Sequence, residues 1–321
     1  MVGPILDLKD NRIIKQLDIN SRQSNNQIAK KVGLSKDAVR YRIEKLEKQG
    51  LIKGYYSVLN ISKLGYLTYK LMLNFQDSDV RVKKEIIDYL TQDKNTGWVV
   101  SCDGHYNLIV ISWVENPFVF EEFLNKFLEK YSRYVSERDL MLITENHSSG
   151  RAYLFDEKYD HSPDIYYKKI SSIPIDKIDI KIINLLVNNA KMPLYEISNK
   201  LKLTPGAVSY RIRQLQKKEI IQAFRPIINI TLLDYEYYNI LFRLKKFSRI
   251  KEIFTFFKQH PNIIYFVKYL GKYDIGIDLE VKNAKELRTI LEEVKTKFSK
   301  DIESYIFLLI YNQHKLSYYP G

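Results

Sequence analysis

The chain contains one sequence pattern twice. Residues 7–60 match residues 176–229 without a gap when 169 is added to each number. With an offset of 167 the match continues further along the chain, where Gly104 falls on Gly271. A repeat of this length is a complete structural unit rather than a short motif. The chain is therefore expected to fold as one two-part unit present twice.

A basic amphipathic helix is predicted over residues 35–50. Val39, Ile43 and Leu46 are spaced at i, i+4 and i+7, which gives one apolar stripe that can pack inward. Ser35 can cap the start of this helix, and Gly50 can end it in a left-handed conformation. The opposite face is polar and mostly basic, and it carries Lys36, Asp37, Arg40, Tyr41, Glu44 and Lys45. An exposed face of this kind suits the major groove of DNA.

A second short helix is predicted immediately before it. Asn25–Val32 has Ser24 as a candidate cap, and Gly33 makes the following turn tight. A helix, a short glycine-bearing turn and another helix have the spacing of a DNA-binding helix-turn-helix. An ordinary pair of amphipathic helices is the alternative. A first helix over residues 7–20 and a strand or hairpin over residues 51–60 would complete a winged helix-turn-helix domain.

The second copy repeats these elements but departs from the first at its turn and its helix tip. Lys202 stands where Gly33 makes the turn, and Glu219 replaces Gly50. A non-glycine residue in a left-handed conformation costs roughly 1–2 kcal/mol. The pair Pro205-Gly206 replaces Lys36-Asp37, and Ser209 replaces Arg40. The second groove-facing helix is therefore less basic at its tip, although Arg213 and the pair Lys217-Lys218 partly compensate.

Net charge is concentrated in these two segments. Residues 1–60 hold twelve Lys or Arg against six Asp or Glu, and residues 170–229 hold ten against four. Each segment is therefore +6, and together they account for +12 of the total of +13. A localised positive charge indicates phosphate binding, so double-stranded DNA is the expected partner.

Each helical segment is followed by a pattern of alternating strands and helices. The order is β-α-β-β-α-β, which is the ferredoxin-like split arrangement. The expected fold class is α+β, with a winged helix-turn-helix and a ferredoxin-like domain of the ACT or RAM type, the pair repeated twice. The expected boundaries are 1–60, 61–155, a linker at 156–174, 175–230 and 231–321.

The sequence gives little support for catalysis. The five histidines are scattered without metal-ligand spacing, and the single Cys102 cannot start a zinc site or form an internal disulfide. No phosphate-cradling glycine-rich loop or nucleophile elbow is present. We therefore expect no catalytic residues, no metal and no cofactor. The sequence has no signal-peptide pattern and no apolar run long enough to cross a membrane, so a cytoplasmic protein is expected.

The chain resembles the Lrp/AsnC, or feast/famine, transcription regulators. The resemblance rests on L-D-x-x-D at Leu6–Asp10, V-G-L-S at Val32–Ser35, V-x-x-R-I-x-x-L-E at Val39–Glu47 and G-x-I-x-G-Y at Gly50–Tyr55. It extends over nearly the whole chain, twice. It implies a winged helix-turn-helix joined to an ACT-like effector domain that dimerises through its sheet and often binds an amino acid between protomers.

The predicted DNA-binding residues lie at the start and along the outer face of the third helix of each copy. They are Ser35, Lys36, Asp37, Arg40, Tyr41, Arg42, Lys45, Thr204, Ser209, Tyr210, Arg211, Arg213 and Gln214. For Arg42 and Arg211, which lie next to the apolar stripe, a structural salt bridge is the alternative to a phosphate contact. For Tyr41 and Tyr210 the alternative is an ordinary surface tyrosine.

The resemblance also implies an effector site at one hairpin of each copy. The residues concerned are Gly104, Tyr106, Asn107, Gly271, Tyr273 and Asp274. A glycine allows a ligand carboxylate to approach closely, and an aspartate could pair with its ammonium group. Asn107 lacks that charge, so the two copies are expected to differ. The alternative is that these glycines only make tight hairpins.

The sequence thus predicts a sequence-specific regulator that is a covalently joined pseudo-dimer. Its two β-rich domains would pack on each other within one chain, with further chains able to assemble around that unit. Because the two halves differ, an imperfectly palindromic operator is expected, with half-sites about one helical turn, roughly 34 Å, apart. Two alternatives remain: an enzyme resembling sirohaem decarboxylases, which are similar to this family, and a chromosome-coating protein without operator preference.

Overall fold

The computed structural model describes residues 4–154, 165–167, 172–187, 189–317 and 319. In the first copy the elements are α1 (Leu8–Ile19), α2 (Asn25–Val32), α3 (Lys36–Lys48), β1 (Ile52–Leu59), β2 (Leu67–Phe75), α4 (Val80–Gln92), β3 (Thr96–Asp103), β4 (Leu108–Val114), α5 (Pro117–Tyr131) and β5 (Val135–Ser148). The short strand β6 (Ile165–Tyr167) lies between the copies. Most of the predicted linker, 156–174, falls outside the described residues.

The second copy has the same elements in the same order. They are α6 (Lys177–Val187), α7 (Leu194–Leu201), α8 (Pro205–Lys217), β7 (Ile221–Ile228), β8 (Glu236–Leu244), α9 (Ile250–Gln259), β9 (Ile263–Leu270), β10 (Ile275–Val281), α10 (Ala284–Phe298) and β11 (Ile302–Leu316). The α+β fold class with its internal repeat is confirmed.

The chain divides into two compact units, and each unit contains one half of each copy. The first, the helix-turn-helix unit, holds residues 1–60, 149–165 and 174–235. Here β1 pairs antiparallel with β7, for example Tyr56 with Arg225. The segment after α3 was predicted as a wing strand or a hairpin. It is a strand, and its partner is the equivalent strand of the other copy.

The second unit, the β unit, holds residues 61–148, 166–173 and 236–321. Within each copy the strand order is β3-β4-β2-β5 and β9-β10-β8-β11. The outer strands also pair across the copies, since β5 pairs with β9 and β11 pairs with β3. The eight strands therefore close into a ring.

Strand alternation divides the apolar side chains of the β unit among three cores. On β2, Leu71 and Leu73 pack with α4 and α5, whereas Met72 packs into a core shared by both sheets. The second sheet packs with α9 and α10 in the same way. The shared core contains side chains from both copies, among them Val100, Leu241 and Leu308. The two sheets thus face each other within one chain.

The last strand of the first copy is longer than the sequence pattern indicates. The alternation predicts a strand over roughly 139–146, but β5 extends from Val135 to Ser148. Its first part pairs with β2 of its own copy, and residues from Leu142 onward pair with β9 of the other copy. Local alternation carries no information about a partner strand from the other copy, so the predicted strand is shorter than β5 at both ends.

Candidate nucleic-acid interface

The helices of the first module are capped by their own side chains. Asp7 and Asp10 form a capping box at the start of α1. Ser24 and Gln27 form a second box at α2. The hydroxyl of Ser35 accepts a hydrogen bond from the backbone N–H of Ala38 at 3.1 Å and so begins α3. These caps fix where α3 starts.

The turn between α2 and α3 needs a left-handed backbone. Gly33 supplies it with φ +66°, and α3 follows three residues later. In the second module Lys202 takes the same conformation, with φ +54°. Glu219 does so at the end of the third helix, with φ +56°, where Gly50 has φ +74°. The second module therefore keeps the helix-turn-helix geometry with side chains that strain it.

Burial of the apolar stripe turns the opposite face of α3 outward. Val39, Ile43 and Leu46 are buried. Tyr41 is 67% exposed, and the other exposed side chains on this helix include Lys36, Asp37, Arg40, Glu44 and Lys45. Arg40 and Asp37 form an exposed ion pair at 3.1 Å. Such surface pairs contribute only about 0–1 kcal/mol, so Arg40 can exchange Asp37 for phosphate or a base at little cost.

The equivalent helix α8 has the same scaffold and a different surface. Thr204 caps it, its hydroxyl accepting from the N–H of Ala207 at 3.1 Å, and Pro205 occupies the first turn. The stripe of Val208, Ile212 and Leu215 is buried. Tyr210 and Arg213 are exposed, whereas Ser209 and Gln214 are half-buried.

Arg42 and Arg211 each form a salt bridge inside their own module, and their contact with DNA stays a prediction. Nη1 of Arg42 donates to the carboxylates of Asp7 and Asp10, both at 2.7 Å. Asp10 is buried, and the pair ties α3 to α1. The N–H of Asp10, followed by the Arg42 guanidinium, holds the pKa of Asp7 below its ordinary value.

The second module repeats this pair closely. Nη1 of Arg211 donates to Asp176 at 2.6 Å and to Asp179 at 2.8 Å. Of the two roles that the sequence left open for these arginines, the structure contains the salt bridge, and the phosphate contact is not tested. The guanidinium is held in place, because moving away would leave a largely buried acid without its cation.

Contacts between the two modules involve residues that the sequence reasoning missed. The guanidinium of Arg22 lies 5.5 Å from the centre of the Phe224 ring, and its Nη1 donates to the carbonyl of Ala190 at 2.5 Å. Lys191 lies 4.4 Å from the centre of the Tyr55 ring. Both cations lose solvent here, and burial lowers the pKa of Lys191. The repeat contains a signal for these contacts. Arg22 and Lys191 occupy equivalent positions and are both cations, and Tyr55 and Phe224 occupy equivalent positions and are both aromatic.

The hairpin glycines predicted for an effector approach protein backbone instead. A Cβ on Gly104, with φ +133°, would lie 2.8 Å from the carbonyl oxygen of Phe307. A Cβ on Gly271 would lie 2.9 Å from the carbonyl oxygen of Leu140. Each hairpin thus packs on the last strand of the other copy. The close approach that requires glycine is therefore an approach between copies.

The polar hairpin residues also have structural partners. The side-chain oxygen of Asn107 accepts from the N–H of Phe75 at 2.8 Å, and the carboxylate of Asp274 accepts from the N–H of Leu244 at 2.7 Å. Both side chains therefore stabilise their own hairpins, and the pairing of Asp274 with a ligand ammonium stays a prediction. Tyr106 and Tyr273 are buried in the shared core.

Comparison with known proteins identifies the chain. A family model described as winged helix-turn-helix DNA-binding matches residues 6–53 and again residues 175–222. The HTH-type transcriptional regulator FL11 of Pyrococcus horikoshii is 32% identical over 120 residues, which are 37% of this chain and 80% of that protein. The chain belongs to the Lrp/AsnC family of transcription regulators. The resemblance seen in its sequence motifs is thereby confirmed, and DNA binding is the coarse function of the family.

A second relative shows how this Lrp/AsnC protein differs in length. An uncharacterized HTH-type transcriptional regulator of Pyrococcus furiosus is 30% identical over 149 residues, which are 46% of this chain and 96% of that protein. Nearly the whole of that relative therefore corresponds to less than half of this chain. One copy here equals one such protein.

A solved structure resembles the Lrp/AsnC chain over both copies. The crystal structure of the siroheme decarboxylase NirDL has a TM-score of 0.64 with 12% sequence identity, and the match covers 96% of this chain and 92% of that one. At this identity the likeness shows a shared fold and carries no statement about activity.

In the described part of the chain no group of three or more His, Cys, Asp or Glu side chains is placed to hold a metal ion. Among the same residues no helix is both long and apolar enough to cross a membrane.

Proposed function

We propose that this protein is a sequence-specific transcription regulator that reads two different half-sites with α3 and α8. The observation that carries the proposal is the contrast between the helix tips. α3 begins with exposed Lys36 and Asp37, and α8 begins with Pro205 and Gly206. Residues near the N-terminus of a recognition helix contact base edges, so different tips favour different bases.

The placement of charge along the two helices supports the same proposal. Arg40 is exposed on α3, where α8 has half-buried Ser209. One turn further on, exposed Arg213 of α8 stands where α3 has Glu44. The strongest base or phosphate contact is therefore expected at a different depth along each helix. An arginine can contact guanine through two hydrogen bonds, each good pair contributing about 1–3 kcal/mol of discrimination.

Covalent joining of the two modules has a consequence for the operator. A homodimer presents two identical helices and selects a palindrome, whereas this chain presents two unlike helices. The β1–β7 pairing and the Arg22 and Lys191 contacts hold the modules in one unit. We expect an imperfectly palindromic operator with half-site centres about one helical turn, roughly 34 Å, apart.

The test is selection of binding sites from random duplex DNA by the purified full chain. The expected consensus has two unlike halves. Arg40→Ala should relax the preference in one half and Arg213→Ala in the other, each weakening binding by about 1–3 kcal/mol. Arg81→Ala, which removes a 94% exposed arginine of α4, is the charge-matched control. A one-part consensus, or equal weakening on all sequences by both variants, would refute half-site reading.

The same experiment distinguishes a sequence-specific regulator from a chromosome-coating protein. Such a protein binds through phosphates alone, so its affinity would fall with salt equally on all sequences and selection would return no consensus. A specific regulator should instead protect a discrete footprint on selected DNA.

We propose further that the chain is not an enzyme, which its relatives named as transcriptional regulators support. The fold likeness to a siroheme decarboxylase makes a direct test worthwhile. Mixing the purified protein with sirohaem or haem should leave the absorbance of the tetrapyrrole unchanged. A shifted absorbance band with stoichiometric binding would bring the enzyme alternative forward.

Modulation by an amino acid or another small effector is the last part of the proposal. Its support is the family resemblance. The contacts of the six hairpin residues add no support, because these residues contact other parts of the protein. DNA affinity measured with each of the twenty amino acids should change at least about five-fold for one of them if the coupling is typical of allostery. A flat response across the panel would remove amino-acid effectors from the proposal.

A further inference from the structure

A lysine is buried in the core shared by the two sheets. Lys70 of β2 is 2% exposed. Its Nζ donates to the side-chain oxygen of Asn239 at 2.7 Å and lies 3.4 Å from the hydroxyl of Tyr269. Asn239 in turn donates through Nδ2 to the carboxylate of Asp278. We call these four residues the Lys70 cluster.

The Lys70 cluster is built from unlike residues at equivalent positions. Lys70 and Asn239 are 169 residues apart, so the two copies meet here at the same place in their folds. The first-copy counterparts of Tyr269 and Asp278 are Cys102 and Ile111. One copy therefore supplies only the ammonium group, and the other supplies the amide, the phenol and the carboxylate.

A second cluster repeats this division of charge at the hairpins. Nζ of Lys272, in the second copy, lies 3.0 Å from the hydroxyl of Tyr106, 3.0 Å from Glu137 and 2.7 Å from Asp139, all in the first copy. We call this the Lys272 cluster. Its counterparts in the opposite copies are His105, Tyr273, Ser304 and Ile306. The acids have no acidic counterparts in the second copy.

Pairing of like copies would lose both sets of contacts. Two first copies would bring two buried Lys70 ammonium groups together without the Asp278 carboxylate. At the hairpins they would lose the Lys272 cation and keep the His105–Glu137 contact, which the first copy makes by itself at 3.1 Å. Two second copies would bring the amides of Asn239 together with two Asp278 carboxylates and no cation. A buried charge without a partner is strongly unfavourable, so the penalty is largest at the Lys70 cluster. Lys272 and Glu137 keep about a third of their side-chain exposure, so the Lys272 cluster adds a smaller preference.

We propose that the Lys70 and Lys272 clusters make each β domain select the unlike copy, so that a chain pairs with itself and not with like copies of other chains. Pairing between like copies of different chains can compete, because the covalent link favours pairing within a chain only after both copies have been synthesised. The first copy is synthesised first and exposes its apolar sheet face, including Met72, Val100 and Ile109, until the second copy is complete. Specificity is achieved here by contacts that penalise the wrong partner.

The test uses two full-length variants that are complementary to each other. Asn239→Lys with Asp278→Ile gives a chain whose two copies both carry the cation. Lys70→Asn with Ile111→Asp gives a chain whose two copies both carry the amide and the carboxylate. The variants are co-expressed with different affinity tags, and the purified material is analysed for cross-capture and for mass by light scattering.

We expect the two variants to form a complex of one chain of each, with cross-capture at least about ten-fold above that of two tagged wild-type chains, which corresponds to 1.4 kcal/mol of preference. The matched control carries all four substitutions in one chain. This control has the same amino-acid composition as the wild type, with the cation moved to the second copy and the carboxylate to the first. One cation again faces one carboxylate, so the control should fold as a single chain and show wild-type cross-capture.

Two outcomes would overturn the proposal. In the first, each variant folds alone and cross-captures no more than wild type, so the tether alone would decide pairing. In the second, the co-expressed variants are insoluble while the four-substitution control folds, so complementarity between chains would have no effect on pairing.

Discussion

The helix-turn-helix unit and the β unit differ in the polar contacts by which their two copies meet. In the helix-turn-helix unit two crossing contacts form a like pair, with Arg22 over Phe224 and Lys191 over Tyr55, although Tyr56 and Arg225, which also meet there, are unlike. In the β unit the positions that meet carry unlike groups, as Lys70 and Asn239 do. Like pairs work equally well between any two copies, whereas unlike pairs work only between a first and a second copy. This contrast is the basis for proposing that partner selection resides in the β unit.

Burial explains why the two units can differ. Half-buried cations over aromatic rings, such as Arg22 and Lys191, contribute about 0.5–2 kcal/mol and keep part of their contact with water, so each imposes little on its partner. An ammonium group with 2% exposure must find its acceptors within the protein. Selectivity is thus concentrated where solvent cannot substitute for a missing partner.

Removal of the acceptor of Lys70 should give the largest effect. Asn239→Leu takes away the 2.7 Å hydrogen bond of Lys70 and the donor to Asp278, and we expect it to lower the free energy of unfolding by about 3 kcal/mol. Lys70→Met combined with Asn239→Leu and Asp278→Leu should recover most of this loss. Lys191→Met in the helix-turn-helix unit should cost about 1 kcal/mol or less. Chemical denaturation would measure all three, and equal losses at both interfaces would break the comparison.

Stability at alkaline pH should report the same buried lysine. Burial lowers the pKa of Lys70 from 10.5 to about 8, against the opposing charge of Asp278. Between these values the unfolded chain binds a proton that the folded chain has lost, so the free energy of unfolding should rise with pH, by up to about 3 kcal/mol. The difference between wild type and Lys70→Met, taken from denaturation curves at pH 7 to 10.5, isolates this contribution. A difference independent of pH would mean that folding leaves the pKa of Lys70 at its ordinary value, and burial would then not act on this ammonium group.

The scaffolds of the two helix-turn-helix modules should respond alike. Arg42→Ala and Arg211→Ala each remove a guanidinium that spans two carboxylates, and each should cost about 1–3 kcal/mol. Asp10, the more buried acid, is left without its cation. Thermal unfolding would measure the losses, with Arg40→Ala as the control that breaks only an exposed pair. Markedly unequal losses would show that the modules differ in scaffold as well as in surface.

The turn before the third helix should give the smallest effect and should have opposite signs in the two modules. Lys202→Gly relieves a left-handed backbone with φ +54° and should stabilise the protein by about 1 kcal/mol. Gly33→Ala introduces the same strain and should destabilise by about 1 kcal/mol, with its new Cβ 3.3 Å from the amine of Lys9. Paired melting curves would measure both. Stabilisation by both substitutions would exclude backbone strain as the cause.

Local features of each copy could be predicted from the sequence because they depend on neighbours along the chain. The caps Ser24 and Ser35 and the stripe of Val39, Ile43 and Leu46 all follow from spacings of a few residues. Even the left-handed Lys202 followed from its alignment with Gly33. Choices between two roles did not follow in this way. The sequence allowed Arg42 either a phosphate contact or a salt bridge. The salt bridge with Asp7 and Asp10 depends on where α1 lies relative to α3, which only the tertiary structure shows.

The sequence by itself determined that the chain is a doubled unit, where its helices begin and end, and where its positive charge lies. Only the tertiary structure decided how the copies meet. The long strands β5 and β11 cross to the other copy, the hairpin glycines pack against its backbone, and Lys70 lies opposite Asn239. The physical reason is distance along the chain. Residues 169 apart come together through the fold of everything between them, and a local pattern carries no information about such a partner.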